Sequence, residues 1–419
     1  MNLKKETVTK LLYFIYLIIY MDSLLRTPIL NVRAPYSVVY SLLLFVMYAM
    51  GYHSLRIRVR KNDSVVTVVT CLYLIYCFNL FRSGSDRMVV ILMIAFITII
   101  ILNYKLLVMH NNMDSFVVMS YVVPSIFLLY RFVIEGMPFN VYGKLNNFFS
   151  TDISFIDRYR MAFGLYHVNG TGNLSVCMLI LSIYICVCVL PKVQNRFLRK
   201  IYGVLISFID YAILTVALST NSRSSLLSFI VFIGVLGYYW ITYIRKLGKI
   251  QVVIIRGLIL VITISSMLLL YTQDLINLFV RSNRLKNFTV NLPMLDTLIK
   301  KLFGIGMVSP GSFTNGSLNY TSYAVDNYYL YILLVAGAIG LLIIIFLLFT
   351  IGKELHSGVT KFATKESYIV FAVFISQLVA GMGETCFLYY IFPSSMIYFT
   401  MYLVHMSQYS INNRCATDL

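Results

Sequence analysis

The chain has 419 residues, of which 59% are hydrophobic and only 12% charged, with a mean hydropathy of +0.82. That composition excludes an ordinary water-soluble domain and makes the bilayer the solvent. The formal net charge is +18 at pH 7; much of it is the Lys/Arg bias that orients a membrane chain, and it implies no nucleic-acid partner.

A helical span needs about 20 mostly apolar residues. Such runs, separated by short charged or Gly/Asn/Ser-rich breaks, recur roughly twelve times. They fall near 9–24, 36–53, 64–81, 88–104, 115–134, 171–190, 201–219, 225–244, 252–271, 327–351, 368–385 and 387–405. The expected fold is therefore all-α: a polytopic integral membrane protein of about twelve transmembrane helices. No internal repeat or linker divides it, so residues 1–419 read as one domain. The first run follows Lys4, Lys5 and Lys10 with no small-residue cleavage site after it, and reads as a retained span.

Short segments rich in Lys and Arg stay in the cytoplasm. With the N-terminus inside, the inner segments collect Arg56, Arg58, Arg60 and Lys61, then Lys192, Arg196, Arg199 and Lys200, then Arg245, Lys246 and Lys249. Both termini then face the cytoplasm, and two long loops, 135–170 and 272–326, face outward. Both loops are also basic, with Arg158, Arg160, Arg281, Arg284, Lys286, Lys300 and Lys301. Long loops translocate largely regardless of charge, so their basicity points to an anionic partner.

The seven cysteines sit mostly inside apolar runs without metal-ligand spacing, and the five histidines are scattered. Packing is the expected role of the cysteines. No phosphate loop, nucleophile elbow or dinucleotide fingerprint occurs, so neither metal nor cofactor is expected.

In the seventh span, Asp210 lies near the bilayer centre, where an ionisable group marks either function or a buried pairing. At the span's outer end comes Ser219-Thr-Asn-Ser-Arg-Ser-Ser-Leu-Leu-Ser-Phe229, one arginine among hydroxyls. Arg223 there either snorkels to the headgroups or holds a phosphate with its planar fork of donors. Further on, Phe303-Gly-Ile-Gly-Met307 closes an amphipathic piece of the second long loop. Its glycines permit a tight turn or a close backbone approach. Asp326-Asn-Tyr-Tyr-Leu then opens the tenth span. Asp326 reads either as an N-cap or as a base. Inside that span Gly337 and Gly340 lie three positions apart, a spacing of small residues that predicts close helix packing.

The string DNYYLYILLVAGAIGLL, preceded by the GxG loop and, a hundred residues earlier, by TNSRSSLL, resembles the shared core of the O-antigen ligase and polymerase superfamily. Its polymerase members are usually called Wzy. The stretch Arg160-Met-Ala-Phe-Gly-Leu-Tyr-His-Val-Asn169 is similar to the arginine, glycine and asparagine pattern at the matching place, so the resemblance covers roughly residues 158–345. It implies a metal-independent glycosyltransferase of the GT-C type in the bacterial cytoplasmic (inner) membrane. There it would act as a polysaccharide repeat-unit polymerase for capsule or O-antigen, using polyprenyl-pyrophosphate-linked oligosaccharides at the outer face.

By resemblance, Arg223 and, with them, Arg160 and Arg284 contact the pyrophosphate, and Asn327 belongs to the substrate-binding motif. Where the ligases carry a histidine before this asparagine, the chain has Asp326, which keeps polymerisation open and disfavours transfer to a lipid A core. His167 and Glu384, near outward span ends, are further candidates for the base. The arginine-x10-glycine spacing of some polymerases is not present at Arg158, Arg160, Arg281 or Arg284. Membrane lipids, a chain-length regulator and a flippase are the expected partners. The competing readings are a lipid-linked oligosaccharide flippase and an O-antigen ligase. The missing internal repeats weigh against the flippase.

Overall fold

The computed structural model describes residues 2–25, 64–110, 113–135, 161–165, 167–244, 283–310 and 325–415. The expected spans at 36–53 and 252–271, most of both long loops, and Arg160 lie outside these described residues.

Every regular element among the described residues is helical. In chain order they are α1 (Asn2–Ser23), α2 (Ser64–Leu80), α3 (Arg87–His110), α4 (Met113–Ile134), α5 (Val168–Tyr184), α6 (Arg196–Ser219) and α7 (Arg223–Tyr239). Then follow α8 (Asn283–Asn291), α9 (Leu298–Phe303), α10 (Tyr328–Phe362), α11 (Lys365–Gly383) and α12 (Pro393–Cys415). Each apolar run that falls on described residues forms a helix, because a backbone in lipid must satisfy its own N–H and C=O groups. Seven of the helices, α3 to α7, α10 and α11, are long and apolar enough to cross a membrane.

Two departures from the expected pattern have local causes. The last apolar run was expected to form a helix over 387–405, but the helix begins only at Pro393. Proline lacks an N–H and has a fixed φ, which suits the first helical position and no interior one. The connecting segment before it is irregular yet buried, with Cys386, Phe387, Leu388 and Tyr389 all at 2% exposure or less. The second departure is a break in α10. Gly337 has φ 72° and ψ −171°, a conformation closed to other residues, in the middle of a continuous apolar run.

The helices align so that one end of the bundle gathers the start of α5, the α6–α7 turn, the start of α10 and the end of α11. Leu25, just past α1, bridges to Leu165 at this same end. At the opposite end Lys192, after α5, pairs with Asp114 of α4 at 2.7 Å and with Glu366 of α11 at 3.7 Å. The lysine-rich segment expected inside is thus tied to the end remote from the candidate motifs.

Within the bundle, α11 packs along α7, α5 along α6, and α10 against α11 and α2. The interior is rich in tyrosine: Tyr16, Tyr20, Tyr76, Tyr328, Tyr331, Tyr398 and Tyr402 are among its largest fully buried side chains. Three of these hydroxyls reach other elements: Tyr16 donates to the Met396 sulfur, Tyr20 to the Tyr390 carbonyl, and Tyr331 to the Val308 carbonyl at 2.7 Å. Large apolar side chains point outward instead, such as Val133 at 74% and Phe349 at 68%, as a lipid-facing surface requires.

Candidate functional site

The SRS segment forms the tight turn between α6 and α7. Ser219 and Thr220 fold their hydroxyls back onto the carbonyls of Thr215 and Ala217, ending α6. Asn221 then takes φ +51°, a left-handed conformation that asparagine tolerates better than most residues. Ser222 precedes α7 with extended φ/ψ, its hydroxyl 2.8 Å from that of Ser225, and its carbonyl accepts from Leu226 N–H. Arg223 is consequently the first helical residue and half-buried. A cation there opposes the helix dipole, which favours anions at an N-terminus. A helix N-terminus and a guanidinium in one place make sense together as a setting for an anion.

The end of α11 joins this turn. Glu384 is its C-cap, 4% exposed, and accepts a hydrogen bond from the Ser224 hydroxyl at 2.9 Å. Two residues earlier, the Met382 carbonyl accepts from Asn327 Nδ2 at 2.8 Å. The single last turn of α11 is therefore bonded both to the residue after Arg223 and to the residue after Asp326. Asn327 uses its other side-chain atom as well: Oδ1 accepts from Leu330 N–H at 2.9 Å and caps α10. The capping reading of Asp326 is corrected accordingly, since the cap is its neighbour, and Asp326 itself is half-buried just ahead of the helix.

The first long loop ends at the same place. Met161 N–H donates to Ser219 O, and Thr171 Oγ1 donates to Ala162 O at 2.8 Å. Gly164 has φ +70°, a conformation that strains any other residue, and it lies against the Arg131 guanidinium. Gly172 fits against the SRS turn, where a Cβ would meet Ser222 Cβ at 2.7 Å. His167 is exposed in the N-cap position of α5, five residues before Gly172, and its side chain makes no capping bond.

The second long loop docks into the break of α10. Ile305 and Gly306 donate their N–H groups to Leu334 O and Val335 O, at 2.8 and 3.2 Å. These carbonyls lie just before Gly337, where the regular helix is interrupted. The Leu302 carbonyl oxygen sits 2.3 Å from where a Gly337 Cβ would be. The packing expected at Gly337 is thus realised against the last turn of the short helix α9, with α10 itself broken there. The close approach expected of Gly304 and Gly306 is likewise to the protein's own backbone: their φ values are +77° and +106°, and a Cβ would meet Val335 C and Gly84 C at 2.4 and 2.6 Å. Arg82, in the α2–α3 turn, donates to Phe303 O and, at 2.6 Å, to Gly304 O. Burial lowers its pKa from the ordinary value, but a guanidinium stays charged.

The sequence-predicted residues divide as follows. The turn that carries Arg223 and the start of α10 with Asp326 and Asn327 are both tied to the end of α11, through Ser224–Glu384 and Asn327–Met382, and His167 is at the same end of the bundle. Arg284 lies on α8, its side chain outside the described residues, and so does all of Arg160. Asp210 belongs elsewhere: half-buried, it accepts from the Tyr121 hydroxyl of α4 at 3.0 Å. Ser224 and Arg82 were not anticipated. Ser224 sits inside the motif, but nothing local marks Arg82. In the exposed α9 segment, a hydrogen bond from Lys300 holds the Asp296 carboxyl below its ordinary pKa, the two atoms 2.9 Å apart. Among the described residues, no three His, Cys, Asp or Glu side chains gather as a metal site.

Fold and site together define an all-helical, multi-pass membrane protein with a cluster of polar and ionisable side chains at one end of its bundle. No protein-family model matches the chain, and no curated protein matches it.

Proposed function

We propose that the chain is a polysaccharide repeat-unit polymerase of the O-antigen ligase and polymerase superfamily, with a GT-C-like bundle of about twelve spans in the bacterial cytoplasmic membrane. The observation that carries this reading is the convergence on one turn of α11. Ser224, next to Arg223, bonds Glu384 at 2.9 Å, and Asn327, next to Asp326, bonds Met382 O at 2.8 Å. Two motifs a hundred residues apart thereby supply a cation and a carboxylate to one end of the bundle.

The reaction needs both. A hydroxyl of the acceptor repeat unit attacks the anomeric carbon of the growing chain, the bond from that carbon to the pyrophosphate oxygen breaks, and the hydroxyl proton passes to a base. Negative charge develops on the departing polyprenyl pyrophosphate, and fixed cations must meet it. Arg223 takes that role, shared, by the resemblance, with Arg160 and Arg284 of the long loops. Asp326 is the base, a half-buried carboxylate next to the Asn327 cap at the start of α10. Glu384, bonded to Ser224, orients the arginine turn. The donor and acceptor lipids arrive at the outer face, after a flippase has acted, and a chain-length regulator is the natural accessory.

A flippase is the second reading, and the broken α10 favours it, because discontinuous membrane helices are frequent in transporters. In transporters such breaks expose carbonyls to ions, whereas here Leu334 O and Val335 O are occupied by loop N–H groups.

The test is chain length of polymer made by purified protein from lipid-linked repeat units. Arg223→Lys keeps charge but loses the planar fork, and Arg223→Ala loses both. Removing one preorganised donor at a developing anion commonly costs about 2.7–4 kcal/mol, a hundredfold or more in rate. Asp326→Asn should abolish elongation while leaving abundance unchanged. Normal chains from the Arg223 variants at equal abundance would refute the phosphate role. Cells lacking the protein should display single repeat units in the outer leaflet, and accumulation in the inner leaflet alone would favour the flippase.

A further inference from the structure

The α2–α3 turn reaches across more than two hundred residues to grip the second long loop, with both backbone and side-chain groups. Asp86 N–H donates to Met307 O at 2.8 Å, Met307 N–H donates to Ser85 Oγ at 2.9 Å, and a Cβ on Gly84 would stand 2.2 Å from Ile305 O. Arg82 adds a charged side chain to this grip. Its guanidinium takes Phe303 O and Gly304 O, with Val335 O of α10 at 3.5 Å. One planar cation thus faces carbonyls from both sides of the joint between loop and broken helix. A guanidinium suits such a place because its donors lie in a fixed fork, where an ammonium is a single point.

We propose that Arg82 is a positioning residue, a latch that holds the 303–306 loop in the α10 break and thereby sets where the first segment of α10 begins. That segment, Tyr328 to Ala336, starts at the Asn327 cap and ends at the break. Tyr331 adds a second tie, its hydroxyl donating to Val308 O at 2.7 Å. With its far end pinned by the loop and its near end bonded to Met382, the segment has a fixed axial position, and Asp326 is carried with it. The consequence for catalysis rests on the polymerase reading above; the latch itself does not.

Amide hydrogen exchange in the full-length protein in detergent tests the latch directly. In Arg82→Gln, exchange at Ile305 and Gly306 should rise about tenfold or more, the scale of a lost charge-assisted hydrogen bond. Exchange at Leu330, whose N–H rests on the Asn327 cap, should rise with it, while Leu226 in α7 stays unchanged. Arg82→Lys should restore little, because charge without the fork does not span the joint. Polymer turnover should fall about tenfold or more from the displaced base, at an unchanged half-saturating concentration of repeat unit. Unaltered exchange at Ile305 and Gly306 overturns the latch. A rise there with Leu330 protection and turnover both intact overturns the positioning role. If the wild type makes no polymer, the function reading fails while the exchange pattern still decides on the latch. Should Arg82→Gln fail to accumulate, Ser85→Ala, which removes only the acceptor for Met307 N–H, should raise exchange at Met307, Ile305 and Gly306; unchanged exchange there overturns the latch equally.

Discussion

Gly337→Ala offers the sharpest test of the broken helix. At φ 72° and ψ −171° an alanine carries a strain of about 1–3 kcal/mol. Its Cβ would also stand 2.3 Å from Leu302 O and 2.4 Å from Phe303 N, both backbone atoms of the docked loop. Backbone has no flexible end to swing aside, so the loop must lift. Lifting it removes the bonds of Ile305 and Gly306 to α10, each worth about 0.5–1.5 kcal/mol. Against this, alanine in a repaired, continuous helix gains about 1 kcal/mol over glycine. An alanine that keeps the break loses about 2–6 kcal/mol, strain and bonds together, whereas one that repairs the helix loses about 0–2 kcal/mol. Gly234→Ala is the matched control, since nothing lies within 4 Å of a Cβ there. At such an open helical position alanine should stabilise by about 0.5–1 kcal/mol. The assay is thermal unfolding of both purified variants in one detergent, read as the fraction remaining monodisperse. Gly337→Ala melting as high as Gly234→Ala would refute the account of the break.

Gly172→Ala should lower the melting point by a cost of about 1–3 kcal/mol, because its Cβ would press on Ser222 Cβ at 2.7 Å in a tight turn; an unchanged melting point counts against the close seat of α5 on the SRS turn. Asp296 should titrate below an ordinary aspartate in a magnetic-resonance titration of isotope-labelled protein, because the Lys300 hydrogen bond favours its charged form. Lys300→Met should raise that value, and an identical titration curve in the variant would contradict the pairing.

Apolar runs at Ser64–Leu80, Arg87–His110 or Tyr328–Phe362 are legible as helices because a span must be long, apolar and internally hydrogen-bonded, and all three conditions are properties of a local stretch. The break at Gly337 is of another kind. Read alone, VAGAIG is good helix-packing sequence, and only the FGIG loop, some thirty residues away, turns the glycine into a discontinuity. Arg82 was equally silent, being one of 34 Lys and Arg residues, with its partners all backbone carbonyls that no side-chain pattern records. Arg223 and Glu384 were both legible as candidates, but their meeting through Ser224 depends on α11 packing along α7. At the start of α10, either residue of Asp326-Asn327 satisfies the capping rule, and the choice of Asn327 follows from Met382 O, which only an amide N–H can engage while the same side chain caps.

The order of partners along the chain has a consequence for biogenesis. Everything that shapes the α10 break, from Arg82 to Val308, is synthesised before Gly337 emerges from the ribosome. The broken helix can therefore take its final form as it enters the bilayer. Glu384 and Met382 come later, so the cluster around Arg223 stays open until α11 has been inserted. A nascent chain halted after α10 would already hold its loop in place yet lack the turn that joins the two motifs, so the candidate site assembles only once α11 is in place.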